Sequence, residues 1–111
     1  MKSKSVAKVK AIPRVKPRPA NFQAGDLVRV IDAYPLGHVR TPFYIRGKTG
    51  TVERLCGAFP NPEELAQMRD GLPAQPLYRV RFRQTDVWPD YSGSSDDVLE
   101  VEIYQHWLEK P

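Results

Sequence analysis

Apolar and polar positions alternate in three stretches of the chain, and a period of two marks a half-buried strand. Over 26–32, Leu27, Arg29 and Ile31 point one way and Val28, Val30 and Asp32 the other. Ala24-Gly25-Asp26 supplies the turn before this run. PLYRVRF sets Leu77, Arg79 and Arg81 against Tyr78, Val80 and Phe82, and VLEVEI sets Val98, Glu100 and Glu102 against Leu99, Val101 and Ile103. A further strand is expected near 49–55, behind Gly47 and Gly50. NPEELAQMRDG has Pro62 at a first helical position and two acids in the first turn, which predicts a short helix at about 62–69. YQHWLEKP reads as a closing turn or a single helical turn stopped by Pro111. The segment from Ala33 to Gly50, with its prolines and glycines, predicts a long ordered loop.

Four or five short strands and one short helix predict an all-β fold, a small barrel or sandwich. The expected division is a tail over 1–21 and one domain over 22–111. A domain of that size buries only ~60–65% of its unfolded surface, a marginal core for a chain alone. No internal repeat is visible.

Charge changes the picture of the tail. The net charge is +4, yet residues 1–20 hold seven of the seventeen basic residues and no acid. The rest carries ten basic against thirteen acidic groups, a charge of −3. Pro13, Pro17 and Pro19 predict an extended, disordered segment there. It reads first as a solvated tail and next as an arm lying on an acidic partner subunit. A nucleic-acid arm comes third, because no aromatic side chain interleaves the charges to stack on bases. No apolar run approaches the ~20 residues of a membrane-spanning helix, and MKSKSVAKVK lacks the apolar stretch of a secretory leader. Cys56 is the single cysteine, so neither an internal disulfide nor a multi-cysteine zinc site is expected, and a reducing, cytoplasmic setting is.

Candidate chemistry is sparse. His38 and His106 lie far apart, His106 among residues that favour packing, and Cys56 reads as a buried small hydrophobe. Asp96, Asp97, Glu100 and Glu102 read as solvated charge. No phosphate loop, dinucleotide fingerprint or two-histidine metal motif is present. The 34–50 loop is different: Tyr34, Phe43 and Tyr44 can anchor it, Pro35 and Pro42 stiffen it, and Arg40 and Arg46 sit inside that frame. A guanidinium held by a rigid loop loses less entropy when it forks onto an anion. The plain alternative is a pair of surface arginines matched to local acids.

Three strings carry a resemblance: FQAGDLVRVIDAYPLGHVRTPFYIRGKTGTVERLCGAFPNPEELA, PLYRVRFRQTDVWPDYSG and VLEVEIYQHWLEKP. Together they resemble the C-terminal domain of the nitrile hydratase β subunit, across about 22–111. The family's helical N-terminal half has no counterpart in these residues. DVWPDYS, the acidic VLEVEI and WLEK look most like the α subunit of thiocyanate hydrolase, a relative in which the β-type chain is split in two.

The resemblance implies an SH3-like β-barrel. It implies a low-spin Co(III) or Fe(III) held in another subunit by a cysteine-rich motif, with two cysteines oxidised, and no metal in this chain. It implies that arginines of this chain hydrogen-bond those sulfur oxygens, with Arg40 favoured and Arg46 the second candidate. His38, Tyr34, Phe43, Tyr44 and Trp88 are expected at the substrate pocket or the interface. Tyr34, Phe43, Trp88 and Trp107 are the aromatic residues expected to lie exposed when the chain is alone.

The implied function is a subunit of a heteromeric metalloenzyme that hydrates a C≡N group. Its expected partners are the metal-bearing chain and the helical half of the β-type subunit, with no membrane or nucleic acid involved. Two alternatives stand beside it: an accessory or maturation module that binds the metal-bearing subunit without taking part in catalysis, and a nucleic-acid-binding barrel, against which the acidic body weighs.

Overall fold

The computed structural model describes residues 15–37 and 39–111. Five antiparallel strands form one sheet in the order β4-β3-β2-β1-β5: β1 Leu27–Val30, β2 Thr49–Phe59, β3 Gln75–Arg83, β4 Val98–Tyr104 and β5 Leu108–Glu109. The alternation in β3 holds from Tyr78 onward, whereas Leu77, expected on the outward face with Arg79 and Arg81, is buried. Tyr78, Val80 and Phe82 are buried, while Arg79 and Arg81 face outward to Glu102 and Glu100 of β4. With Val28, Val30, Ile45, Val52, Val87, Ile103, Trp107 and Leu108 they make the core.

Strand β2 runs further than its expected limit of residue 55. Its register against β3 shifts between Val52 and Arg54 and again between Leu55 and Gly57. Such bulges bend a strand, and here they let β2 pair β1 at its start and follow β3 to Phe59. Gly50 sits where β2 crosses β3. A Cβ there would lie 2.7 Å from the Arg81 carbonyl oxygen and 2.9 Å from the Phe82 ring.

The helix at Pro62–Leu65, α1, is shorter than the expected 62–69. Asn61 caps it, its Oδ1 accepting from the Glu63 and Glu64 amides. Met68 then takes a left-handed φ of 64°, which ends helical geometry. A second single-turn helix, α2 at Gln84–Val87, has no signal in the alternation. The closing segment is a 3-10 turn at Gln105–Trp107 followed by the two-residue β5, which pairs Arg29 and Val30.

The chain is attached to the sheet ahead of Phe22. The Arg18 amide donates to the Ala74 carbonyl, and Gln105 receives Asn21 and holds the Pro19 carbonyl. Most of the basic segment lies outside the described residues.

Candidate functional site

The loop between β1 and β2 is built around one side chain. Arg46 sits at the end of a 3-10 turn, Phe43–Ile45, whose Ile45 is fully buried. The Gly47 amide donates to the Val30 carbonyl and the Val30 amide to the Lys48 carbonyl, so the backbone that leaves the turn is fixed to β1. From this base the Arg46 guanidinium donates from Nη1 to the Ala33 carbonyl at 2.9 Å and from Nη2 to the Thr41 carbonyl at 2.7 Å. It lies 4.9 Å from the Tyr34 ring centroid and 5.0 Å from that of Trp107. Trp107 is only 6% exposed, so it belongs to the core and not among the exposed aromatics.

Arg40 is in a different setting. It is exposed, and its guanidinium carbon stands 5.9 Å from the Tyr104 ring centroid. Together with Phe59, Pro60, Pro62, Leu65 and Leu77 these two residues border an apolar groove of about 380 Å³. Burial pushes the Tyr104 phenol up, while the Arg40 charge pulls it down. No carboxylate pairs with Arg40 or Arg46 among the described residues, whereas Arg29, Arg79 and Arg81 each have one.

A second cavity, of about 410 Å³, opens between the 31–39 segment and α1. Glu63 organises its wall, with Oε1 lying 2.6 Å from His106 Nε2 and accepting from Trp107 Nε1 at 3.2 Å. Neither Glu63 nor Tyr104 was singled out from the sequence. The partners of Glu63 are more than forty positions away, and Tyr104 reads simply as the first residue of the closing YQHWLEKP turn, whereas it ends β4.

Tyr44 stacks on Trp88 with centroids 5.2 Å apart, and Phe43 meets Tyr44 edge-on at 6.1 Å. Trp88 Nε1 donates to Gln84, which ties this stack to α2. Phe43 is 71% exposed, so the three rings form a surface ridge. The expected residues therefore fall into three settings: Tyr34 with Arg46, Arg40 over Tyr104, and the ridge of Phe43, Tyr44 and Trp88. His38 lies outside the described residues.

Among the described residues no three His, Cys, Asp or Glu side chains are placed to hold a metal ion. His106 is engaged by Glu63. Cys56 is half-buried within β2, its Sγ 4.0 Å from Glu102, with no second soft donor to complete a site. The residues present do not fit the trivalent metal centre that the resemblance implies. No helix among them is long and apolar enough to cross a membrane.

Comparison with known proteins is specific. Residues 12–110 match the family described as nitrile hydratase beta subunit, C-terminal. The chain is 36% identical over 99 residues to the nitrile hydratase subunit beta of Pseudomonas chlororaphis, covering 88% of this chain and 44% of that one. It is 39% identical over 92 residues to the thiocyanate hydrolase subunit alpha of Thiobacillus thioparus, covering 82% and 72%. The cobalt-containing nitrile hydratase subunit beta of Pseudonocardia thermophila is 42% identical over 90 residues, covering 81% and 36%. The chain thus spans less than half of these two nitrile hydratase subunits and most of the thiocyanate hydrolase one. A chain of the solved recombinant apo-enzyme of Thiobacillus thioparus thiocyanate hydrolase superposes with a TM-score of 0.80 at 38% identity, over 86% of this chain and 79% of that one.

Proposed function

The chain belongs to the nitrile hydratase β-subunit family, matching its C-terminal part, and on that basis we propose that it is a non-metal subunit of a heteromeric enzyme that hydrates a C≡N group. The observation that carries this reading is the match over nearly the whole chain, joined to Arg40 standing free of any described carboxylate beside an apolar groove. Oxidised cysteine oxygens are anionic acceptors, and a guanidinium satisfies two of them with forked, charge-assisted hydrogen bonds. Arg40 is the residue we assign to that task. The Tyr104 ring beneath it favours the cation and limits the directions in which it extends.

The described residues of this chain present no metal-holding cluster, and we assign the metal of the assembly to a cysteine-rich partner. The contribution of this chain is a wall of the pocket and a fixed cation. A thiocyanate hydrolase subunit is among the relatives at 39% identity, and a thiocyanate hydrolase chain superposes with a TM-score of 0.80. Thiocyanate is accordingly the first substrate to try, and small nitriles the second.

The test is co-expression with the neighbouring open reading frames and purification through a tag on this chain. The expected product is a complex that contains cobalt or iron and turns over thiocyanate or a nitrile, while the chain purified alone holds neither metal. Stoichiometric metal bound to this chain alone, or failure to capture a cysteine-rich partner, would overturn the proposal.

A further inference from the structure

The two carbonyls that receive Arg46 belong to Ala33 and Thr41, the residues that bracket the 34–40 segment. One planar guanidinium therefore ties together the two ends of a seven-residue loop, and Arg40 is the last residue inside it. We infer that Arg46 is the positioning residue for Arg40: it acts by closing this loop, and it is not itself a contact to the partner's oxidised sulfurs. The inference rests on the role of Arg40 proposed above.

Three observations carry it. The hydrogen bonds of Arg46 run to main-chain oxygens on either side of the loop, at normal lengths. The cation lies within about 5 Å of two rings, Tyr34, which opens the loop, and Trp107 of the core, and both favour it in this position. Trp107 is in turn pinned through its indole nitrogen to Glu63 and through its carbonyl oxygen to the Ile31 amide. Within the loop itself, residues 34–40 make no backbone–backbone hydrogen bond among the described residues. With none there among the described residues, the Arg46 guanidinium is what joins the two ends, Ala33 and Thr41. Lysine is a poor replacement, because its donors all share one nitrogen, whereas the guanidinium reaches the two carbonyls from two separate nitrogens of one rigid plane.

The test has two arms. In the full-length chain, 15N relaxation reads the loop directly. Arg46→Lys is expected to lower the amide order parameters of Tyr34, Leu36, Gly37, Val39 and Arg40 from about 0.85 to below about 0.6, with those of β3 unchanged. Tyr34→Leu, which removes only the outer ring, is expected to lower them part of the way and decides the question if Arg46→Lys fails to fold. Unchanged loop order in the folded variants overturns the inference whatever the fate of the assembly.

In the assembled enzyme, Arg40→Lys, Arg46→Lys and the double variant form a cycle. Each single change is expected to lower kcat by roughly 10–100-fold, and the double variant to lose no more than Arg40→Lys alone. Multiplying losses mean that Arg46 acts independently of Arg40, which overturns the inference. If Arg40→Lys is silent while the relaxation result holds, the loop closure stands and the proposed role of Arg40 falls.

Discussion

The Tyr78 hydroxyl donates a 2.6 Å hydrogen bond to Gln105 Oε1 in the buried centre of the sheet, and the same pair holds the chain's way in. The Phe22 amide donates to the Tyr78 hydroxyl at 3.2 Å, and the Asn21 amide donates to that Gln105 oxygen at 2.8 Å. Phe22 itself packs edge-on against the Tyr78 ring. One phenol thus links β3, the closing turn and the segment leading to β1.

Tyr78→Phe should therefore destabilise the fold by about 1–3 kcal/mol, because it leaves a buried amide oxygen and a backbone donor short of a partner. Urea unfolding measures the loss. Proteolysis should become faster near Pro19–Phe22, while the sheet stays protected. A variant as stable as the parent and equally resistant there would show that the phenol does not hold this segment.

Gly50→Ala should cost about 1–3 kcal/mol through overpacking, since the new methyl meets a backbone oxygen that cannot move aside without breaking the β2–β3 register. The same substitution at Gly37, where a Cβ would find nothing within 4 Å, meets only the strain of a positive φ. Comparing the unfolding midpoints of the two variants separates a steric demand from a conformational one. Gly50→Ala with no loss of stability would contradict the close crossing.

Tyr104 gives a pH signature of the Arg40 contact. Burial raises its ionisation above the ordinary phenol value of 10.0, and the nearby guanidinium lowers it. A phenol that holds its proton more tightly when folded stabilises the fold fully below the unfolded value. That contribution is lost as the pH rises through the folded value. Stability should thus fall on the alkaline side of pH 10. Arg40→Met removes the opposing charge and should move the Tyr104 titration further up, as read from its ring carbon by NMR. A titration curve unaffected by Arg40→Met would contradict their proximity.

Much of the fold is legible in the alternation. Tyr78, Val80 and Phe82 read as a buried face and are buried, and on the edge strand β4 the same alternation leaves Ile103 buried and Leu99 and Val101 partly so. The two-residue β5 is not legible, since Leu108 and Glu109 become a strand only by meeting Val30 and Arg29 at the β1 edge of the sheet. Trp107 reads as a surface aromatic at the end of the chain, yet it precedes that pairing and packs into the core. The loop motif places both arginines in one frame but does not distinguish them. The acceptors of Arg46 are main-chain carbonyls, which leave no trace in residue identity, and Arg40 differs only in having no described polar acceptor.

Turnover of the assembled enzyme carrying Arg40→Lys, with metal content measured on the same sample, tests the central claim most directly. If Arg40 makes the proposed contact with oxidised sulfur, loss of the planar fork should cost roughly 1.5–3 kcal/mol, on the order of 10–100-fold in rate. The complex should still form and keep its full metal content. Near-parental turnover of thiocyanate or nitrile at full metal occupancy would contradict the account and leave this chain a scaffold for chemistry supported by its partners.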